Sequence, residues 1–285
     1  MAIQPALFSK VFGDRELTEA ATLAAELGYD GFEPMCREPH LGADRSLETV
    51  RELRDHLDDL GLVVPCLATY TGNDAGLTPR ERERELETLE TFLEFADALN
   101  CEIVRHGPGG PAVRDATDED FERAARWLRR ATDRAAEYDV TIAMEIHAGR
   151  LSETVSSTKR LLEAIDRDNV GAIHDAGNMY LVDDGFGPES VRWLGDDLIH
   201  VHVKDLRRVA DGTRPSTFEL ETNAGTETFQ RQPLGEGDVD HGPLFDALAA
   251  AGYDGHVTAE STFAPDDARA AAAHEIEELR RLLGS

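Results

Sequence analysis

A repeated alternation between short apolar, β-branched runs and longer amphipathic stretches constrains this chain more than any other feature. The runs read as strands at Ile3–Ser9, Gly31–Met35, Leu62–Thr69, Glu102–His106, Val140–Ile146, Val170–His174, Leu198–Val203 and Gly255–Glu260. Between them lie helical segments such as Pro79–Leu99, where Leu86, Leu89, Leu93 and Ala96 recur at helical spacing amid Glu and Arg. Strands alternating with helices pair in parallel, because each helix carries the chain back across the sheet. The number of such units is what a closed (β/α)8 barrel needs, and 285 residues suit one barrel, so a single TIM-barrel domain over 1–285 is predicted. Two matching turns agree with this. Leu27-Gly28-Tyr29-Asp30-Gly31 and Ala251-Gly252-Tyr253-Asp254-Gly255 each close a helix and open a strand, with glycine where a left-handed cap is needed.

One segment breaks the rhythm. Residues 207–240, after the seventh strand, are polar and rich in Gly, Thr and Glu without a helical period, and a connection this long is expected to serve as a lid loop.

Composition narrows the function classes. With 41% hydrophobic residues the chain has material for a buried sheet. Its 57 acidic and 29 basic residues give a net charge of −28, which repels nucleic acid and anionic membranes, so neither is expected as a partner. Only Lys10, Lys159 and Lys204 are lysine, and an acidic, lysine-poor surface suits a salt-rich, halophilic cytoplasm. No apolar run approaches the roughly 20 residues that cross a bilayer, and Met1–Pro5 lacks a signal-peptide start, so a cytoplasmic location is expected. Cys36, Cys66 and Cys101 are odd in number and unpaired in sequence, which indicates neither a disulfide framework nor a thiolate zinc site.

In a barrel of this kind the C-terminal ends of the strands converge on one mouth. The second strand passes through Glu33, the fourth reaches Arg105-His106, and the fifth carries Glu145 and His147. The sixth gives His174-Asp175-Ala176-Gly177-Asn178, the seventh His200-Val201-His202-Val203-Lys204-Asp205, and the eighth Thr258-Ala259-Glu260. Unpaired buried carboxylates are costly, and a divalent cation compensates them. Two glutamates, an aspartate and an imidazole form an oxygen-rich set that favours Mn2+, Mg2+ or Co2+ over a thiolate-bound zinc. The expected ligands are therefore Glu145, Asp175, His202 and Glu260. His200, His202 and Lys204 share one face of their strand by alternation; His202 lies nearer the mouth and His200 deeper, as a support. Two of the three lysines, Lys10 and Lys204, fall at strand ends, where a compact cation can meet substrate oxygens.

These residues, together with the His202-Val203-Lys204-Asp205 run and the Leu234-Gly235-Glu236-Gly237-Asp238-Val239-Asp240 stretch, give the whole chain a resemblance. It resembles the xylose isomerase-like TIM-barrel superfamily, in particular sugar phosphate isomerases/epimerases, ketose 3-epimerases, hydroxypyruvate isomerases and inosose dehydratases. The resemblance implies one divalent metal, Mn2+ foremost, with Glu145 and Glu260 doubling as acid and base. It implies a proton moved alpha to the carbonyl of a sugar or sugar phosphate, and a homodimer or homotetramer. Arg207 is then placed to grip a substrate oxygen or phosphate, with Lys204, Asn178, His147, His106 and Glu33 as further substrate-side residues. Asn178 stands where epimerases of this group often carry histidine, and its amide can still donate to a substrate hydroxyl. The competing readings are an inosose-type dehydratase, an endonuclease IV-like DNA-repair nuclease with three zinc ions, and a metal-holding barrel that binds sugar without turnover.

Overall fold

Parallel pairing organises the computed structural model, which describes residues 3–72, 76–260 and 267–284. The strands are β1 (Gln4–Phe8), β2 (Gly31–Glu33), β3 (Met35–Cys36), β4 (Ala68–Thr69), β5 (Ile103–Arg105), β6 (Thr141–Glu145), β7 (Val170–Asp175), β8 (Leu198–Val203), β9 (Asp205–Val209), β10 (Thr217–Thr222), β11 (Gly225–Gln232) and β12 (His256–Ala259). Seven of them form one parallel sheet in the order β2-β1-β12-β8-β7-β6-β5. Its two edges are joined through the third barrel position, where Gly31 bridges Val63 and Leu67 bridges Val104, both in parallel. The ring is thus closed as a TIM barrel, with helices alternating along the chain around it.

The third position is not the continuous strand its apolar run predicts. Leu62–Thr69 keeps only the two bridges and β4, which pairs with β3. Pro65 has no N–H for a ladder, and Pro34 divides the second strand into β2 and β3 in the same way. Helix Pro79–Ala98 matches its expected span to one residue. It starts on a Thr78/Glu81 capping box with proline at its first turn and buries Leu86, Leu89, Leu93 and Ala96. The matching turns are confirmed, with Gly28 at φ 88° and Gly252 at φ 76° as left-handed caps.

The long connection after the seventh barrel strand is present, and it is regular rather than irregular. β9 runs on from β8 after Lys204 and joins β10 and β11 in an antiparallel sheet of order β10-β11-β9. Phe229 of β11 is fully buried, edge-on to Tyr180 and stacked with Phe218 at 5.9 Å. The next segment is held by one carboxylate. Asp205 accepts the backbone N–H groups of Leu206, Gly235, Gly237 and Val239 at 2.8, 3.0, 2.9 and 3.1 Å. The three cysteines are buried free thiols. No described helix is long and apolar enough to cross a membrane.

Candidate metal centre

Strand register brings the acidic strand ends together. Asp175 ends β7 directly beside His202 of β8, and His202 lies beside Thr258 of β12. Alternation then puts Glu260 on the same side as Thr258, and Glu145 ends β6 beside Ile173. One ligand atom from each of Glu145, Asp175, His202 and Glu260 lies within 4.8 Å of the others, and all four residues are buried. Asp175 also caps the short helix Ala176–Leu181, accepting the Asn178 N–H at 2.8 Å. Gly177 behind it is required by space, since a Cβ there falls 2.4 Å from Lys204 Cγ and 2.9 Å from the Lys204 carbonyl oxygen.

His202 is oriented from behind. Its Nε2 lies 3.0 Å from Glu33 Oε1, the same carboxylate meets His200 Nε2 at 3.0 Å, and Phe8 stacks on the His202 ring at 6.4 Å. This leaves His202 Nδ1 buried without a hydrogen-bond partner among the described residues, 3.7 Å from Glu145 Oε1. A bare imidazole nitrogen facing three carboxylates, with a carboxylate behind the other nitrogen, is a donor set that fits a divalent cation. Burial lowers the His202 pKa, but Glu33 and Glu145 outweigh it and carry the value up to about 10. The field that favours a proton on this ring equally favours a metal cation, since both compete for one lone pair.

The carboxylates are balanced by fixed cations. Lys204 Nζ lies 2.7 Å from both Asp175 Oδ2 and Glu260 Oε2, and 3.9 Å from Glu145 Oε1. Burial opposes its charge, but these carboxylates raise its pKa above the ordinary lysine value. Burial also pushes Asp175 up, to about 7 despite Lys204. Glu145 moves the other way. Burial raises it, yet Arg105 and its other partners hold it well below the usual carboxylate range. Glu260 is likewise brought to about 2, with Lys204 and Lys10 overcoming burial.

The remaining sequence-derived site residues divide. Asn178 Nδ2 bridges Glu145 Oε1 at 3.0 Å and Asp175 Oδ2 at 2.9 Å, so its donors are committed to the acidic cluster. His147, with Nδ1 against the Ala148 carbonyl at 2.8 Å, stays within the electrostatic reach of Glu145, Lys204 and Glu260. Glu33, read from sequence as a substrate-side residue, instead has no exposed surface and sits beneath the two histidines. His106 is buried outside the four-residue cluster, against Thr71 Oγ1 at 2.9 Å. Arg207 is not brought in either. It lies on β9, tied to the Glu236 carbonyl and 3.5 Å from Asp238. Arg105 has no role assigned from sequence, yet its Nη1 donates to Glu145 Oε2 at 2.8 Å and its Nε to the Thr69 carbonyl at 3.0 Å. A buried arginine ending a strand needs an acid, and that was the available signal.

Comparison with known proteins gives this geometry a setting. A family model described as xylose isomerase-like TIM barrel matches residues 21–282. An inosose dehydratase of Lacticaseibacillus casei is 30% identical over 200 residues, 66% of each chain. The chain therefore spans just under two thirds of that relative's length. The L-ribulose-5-phosphate 3-epimerase UlaE of Salmonella heidelberg is 27% identical over 241 residues, 82% of this chain and 78% of the other. Among solved structures, the IOLI protein with a bound zinc atom superposes with TM-score 0.79 at 17% identity, covering 99% of this chain and 98% of the other.

Proposed function

The chain belongs to the xylose isomerase-like TIM-barrel family, and from that membership we propose that it is a divalent-metal-dependent isomerase or epimerase. On this reading it moves a proton alpha to the carbonyl of a sugar or sugar phosphate. The observation that carries it is the buried set of Glu145, Asp175, His202 and Glu260 within 4.8 Å, with His202 Nδ1 left without a hydrogen-bond partner among the described residues. Those four residues hold the cation, with Mn2+ first in preference and Mg2+ or Co2+ also suited to the oxygen-rich set. When bound, the cation supplies the positive charge that polarises a substrate carbonyl and makes the neighbouring C–H acidic.

The chain's own groups do the rest. Glu145 and Glu260 project from β6 and the end of β12, three positions apart in the sheet order, so they address a bound substrate from two sides. Both are held in the ionised form, so either can take the alpha proton as base. In an isomerisation that same residue can return it to the neighbouring carbon, whereas inversion at one carbon requires the other glutamate, carrying a proton, to deliver it as acid from the opposite face. Lys204 and Asn178 fix the carboxylates, and His147 borders them. The sheet of β9, β10 and β11 serves as the lid, and a small carbohydrate is the partner, with neither nucleic acid nor membrane involved. A halophilic, cytoplasmic setting and a homodimer or homotetramer belong to the same proposal, the setting supported by the −28 net charge.

A second reading, a metal-dependent dehydratase, is favoured by the inosose dehydratase relatives and by Asn178 in place of histidine. It shares the first step, removal of the alpha proton, and then expels hydroxide. Metal analysis together with deuterium uptake from D2O into ketoses, ketose phosphates and inososes tests both. About one metal per chain with deuterium entering beside a carbonyl supports proton transfer, and water loss in the product selects the dehydratase. About three zinc ions without exchange sinks both in favour of the nuclease.

A further inference from the structure

Acidic side chains outnumber basic ones 57 to 29, and many arginines are paired with them, as Arg130 is with Glu83 and Arg167 with Asp133. Two arginines near the strand ends are engaged differently. Arg37 Cζ lies 4.1 Å over the Tyr70 ring and Arg231 Cζ 4.4 Å over the Phe218 ring, and among the described residues neither forms an ion pair with a carboxylate within 4.0 Å. A guanidinium stacked on a ring keeps its N–H edges free for a planar acceptor, so stacking holds these groups in place without using up their donors.

Each is linked to the acidic cluster through its neighbours. Arg37 directly follows β3, and the Tyr70 ring beneath it is also 5.0 Å from the guanidinium of Arg105, which bonds Glu145. Arg231 pairs in register with Leu206, two residues beyond Lys204, and by alternation shares the inner face of its sheet with buried Phe229. Glu260 acts electrostatically on both Tyr70 and Arg231. Lys10 adds a third positive group, 3.5 Å from Glu260. Arg207, the arginine that the sequence pointed to for this task, is occupied by Glu236 and Asp238.

We infer that the substrate carries an anionic group, a carboxylate or a phosphate, which Arg231 and Arg37 grip outside the metal centre. This rests on the proton-transfer reading above and narrows its substrate class. Exposed arginines such as Arg51, on helix Leu47–Leu60, stand away from the strand ends and serve as controls.

The test measures deuterium uptake by mass spectrometry for a free ketose, its terminal phosphate and a keto sugar acid, using metal-loaded wild type, Arg231→Gln, Arg37→Gln and Arg51→Gln. The wild type is expected to prefer one anionic compound over the free ketose, and the phosphate and acid arms identify which anion. Loss of a charge-assisted hydrogen bond should reduce that preference about 10- to 100-fold, through KM, in the Arg231 and Arg37 variants and not in Arg51→Gln. Exchange that ignores substrate charge, or a preference unchanged in both variants, overturns the subsite while leaving the proton-transfer reading intact. If no compound exchanges, that reading fails instead, and calorimetric titration with inorganic phosphate decides the subsite. Binding weakened at least about tenfold by Arg231→Gln supports it, and no binding, or equal binding, overturns it.

Discussion

Replacing Glu33 with glutamine tests whether the proposed metal centre is organised from beneath. Glu33 is wholly buried, and its carboxylate meets Nε2 of His202 at 3.0 and 3.2 Å and Nε2 of His200 at 3.0 Å. With the carboxylate present, a cation that displaces the proton from Nδ1, the nitrogen facing Glu145, leaves the remaining His202 proton on Nε2 toward Glu33. Glutamine keeps the shape but offers one acceptor and a donor, and it removes the charge that fixes this tautomer. The imidazole is then free to carry its proton on Nδ1, where a cation must bind. Loss of such a carboxylate–histidine contact typically weakens metal affinity about 10- to 100-fold, or about 1.4–2.7 kcal/mol. The assay is a competition titration of Mn2+ or Co2+ against a chelator for wild type and Glu33→Gln, with thermal unfolding run alongside to confirm that the variant folds. A folded variant that binds metal within about twofold of wild type would refute the argument that Glu33 prepares His202 as a ligand.

Three further predictions are independent of that one. Asp205→Asn removes a carboxylate that accepts four backbone N–H groups, and it should cost about 2–4 kcal/mol in urea unfolding; an unchanged midpoint would remove Asp205 as the anchor of the segment before the last barrel strand. Burial, and then Arg82, push the His106 pKa from 6.5 down to about 4, so the fold prefers the neutral ring. Its contribution is therefore complete above pH 6.5 and lost as pH falls toward 4, by about 1.4 kcal/mol per pH unit. Wild type should lose correspondingly more stability than His106→Gln between pH 7 and 5, and equal losses would contradict it. Finally, a net charge of −28 should make the melting temperature climb as KCl rises from about 0.1 to about 1 M, where the screening length falls from about 10 to about 3 Å. A flat response would count against the halophilic setting.

The fold was largely legible because a barrel repeats one rule. Strand, helix and glycine-capped turn recur, and Gly28 and Gly252 occupy the same structural position at opposite ends of the chain. What misled was local chemistry that overrides periodicity. Pro34 and Pro65 remove ladder donors inside apolar runs that otherwise read as continuous strands. In the 207–240 segment a period of two was present in Thr217-Phe218-Glu219-Leu220-Glu221, but it was masked by the polar composition around it. The acidic strand ends were readable because position along a parallel strand predicts convergence at the mouth. Depth was not. Glu33 and Arg207 have the right chemistry for a substrate pocket, but one lies below the histidines and the other is tied to the segment at Glu236 and Asp238. Only tertiary packing separates a residue under a site from one inside it.

The junction between β8 and β9 carries a consequence for how such a protein can change. Lys204 alone separates the barrel strand that supplies His202 from the antiparallel sheet that carries Arg231. Lys204 is also the ammonium clasped by Asp175 and Glu260. The sheet is thus a lever whose fulcrum lies inside the acidic cluster, so insertions or deletions in it pull on Asp175 and Glu260 through Lys204. New specificity is most readily gained by exchanging side chains on the sheet's inner face while its length and attachment stay fixed.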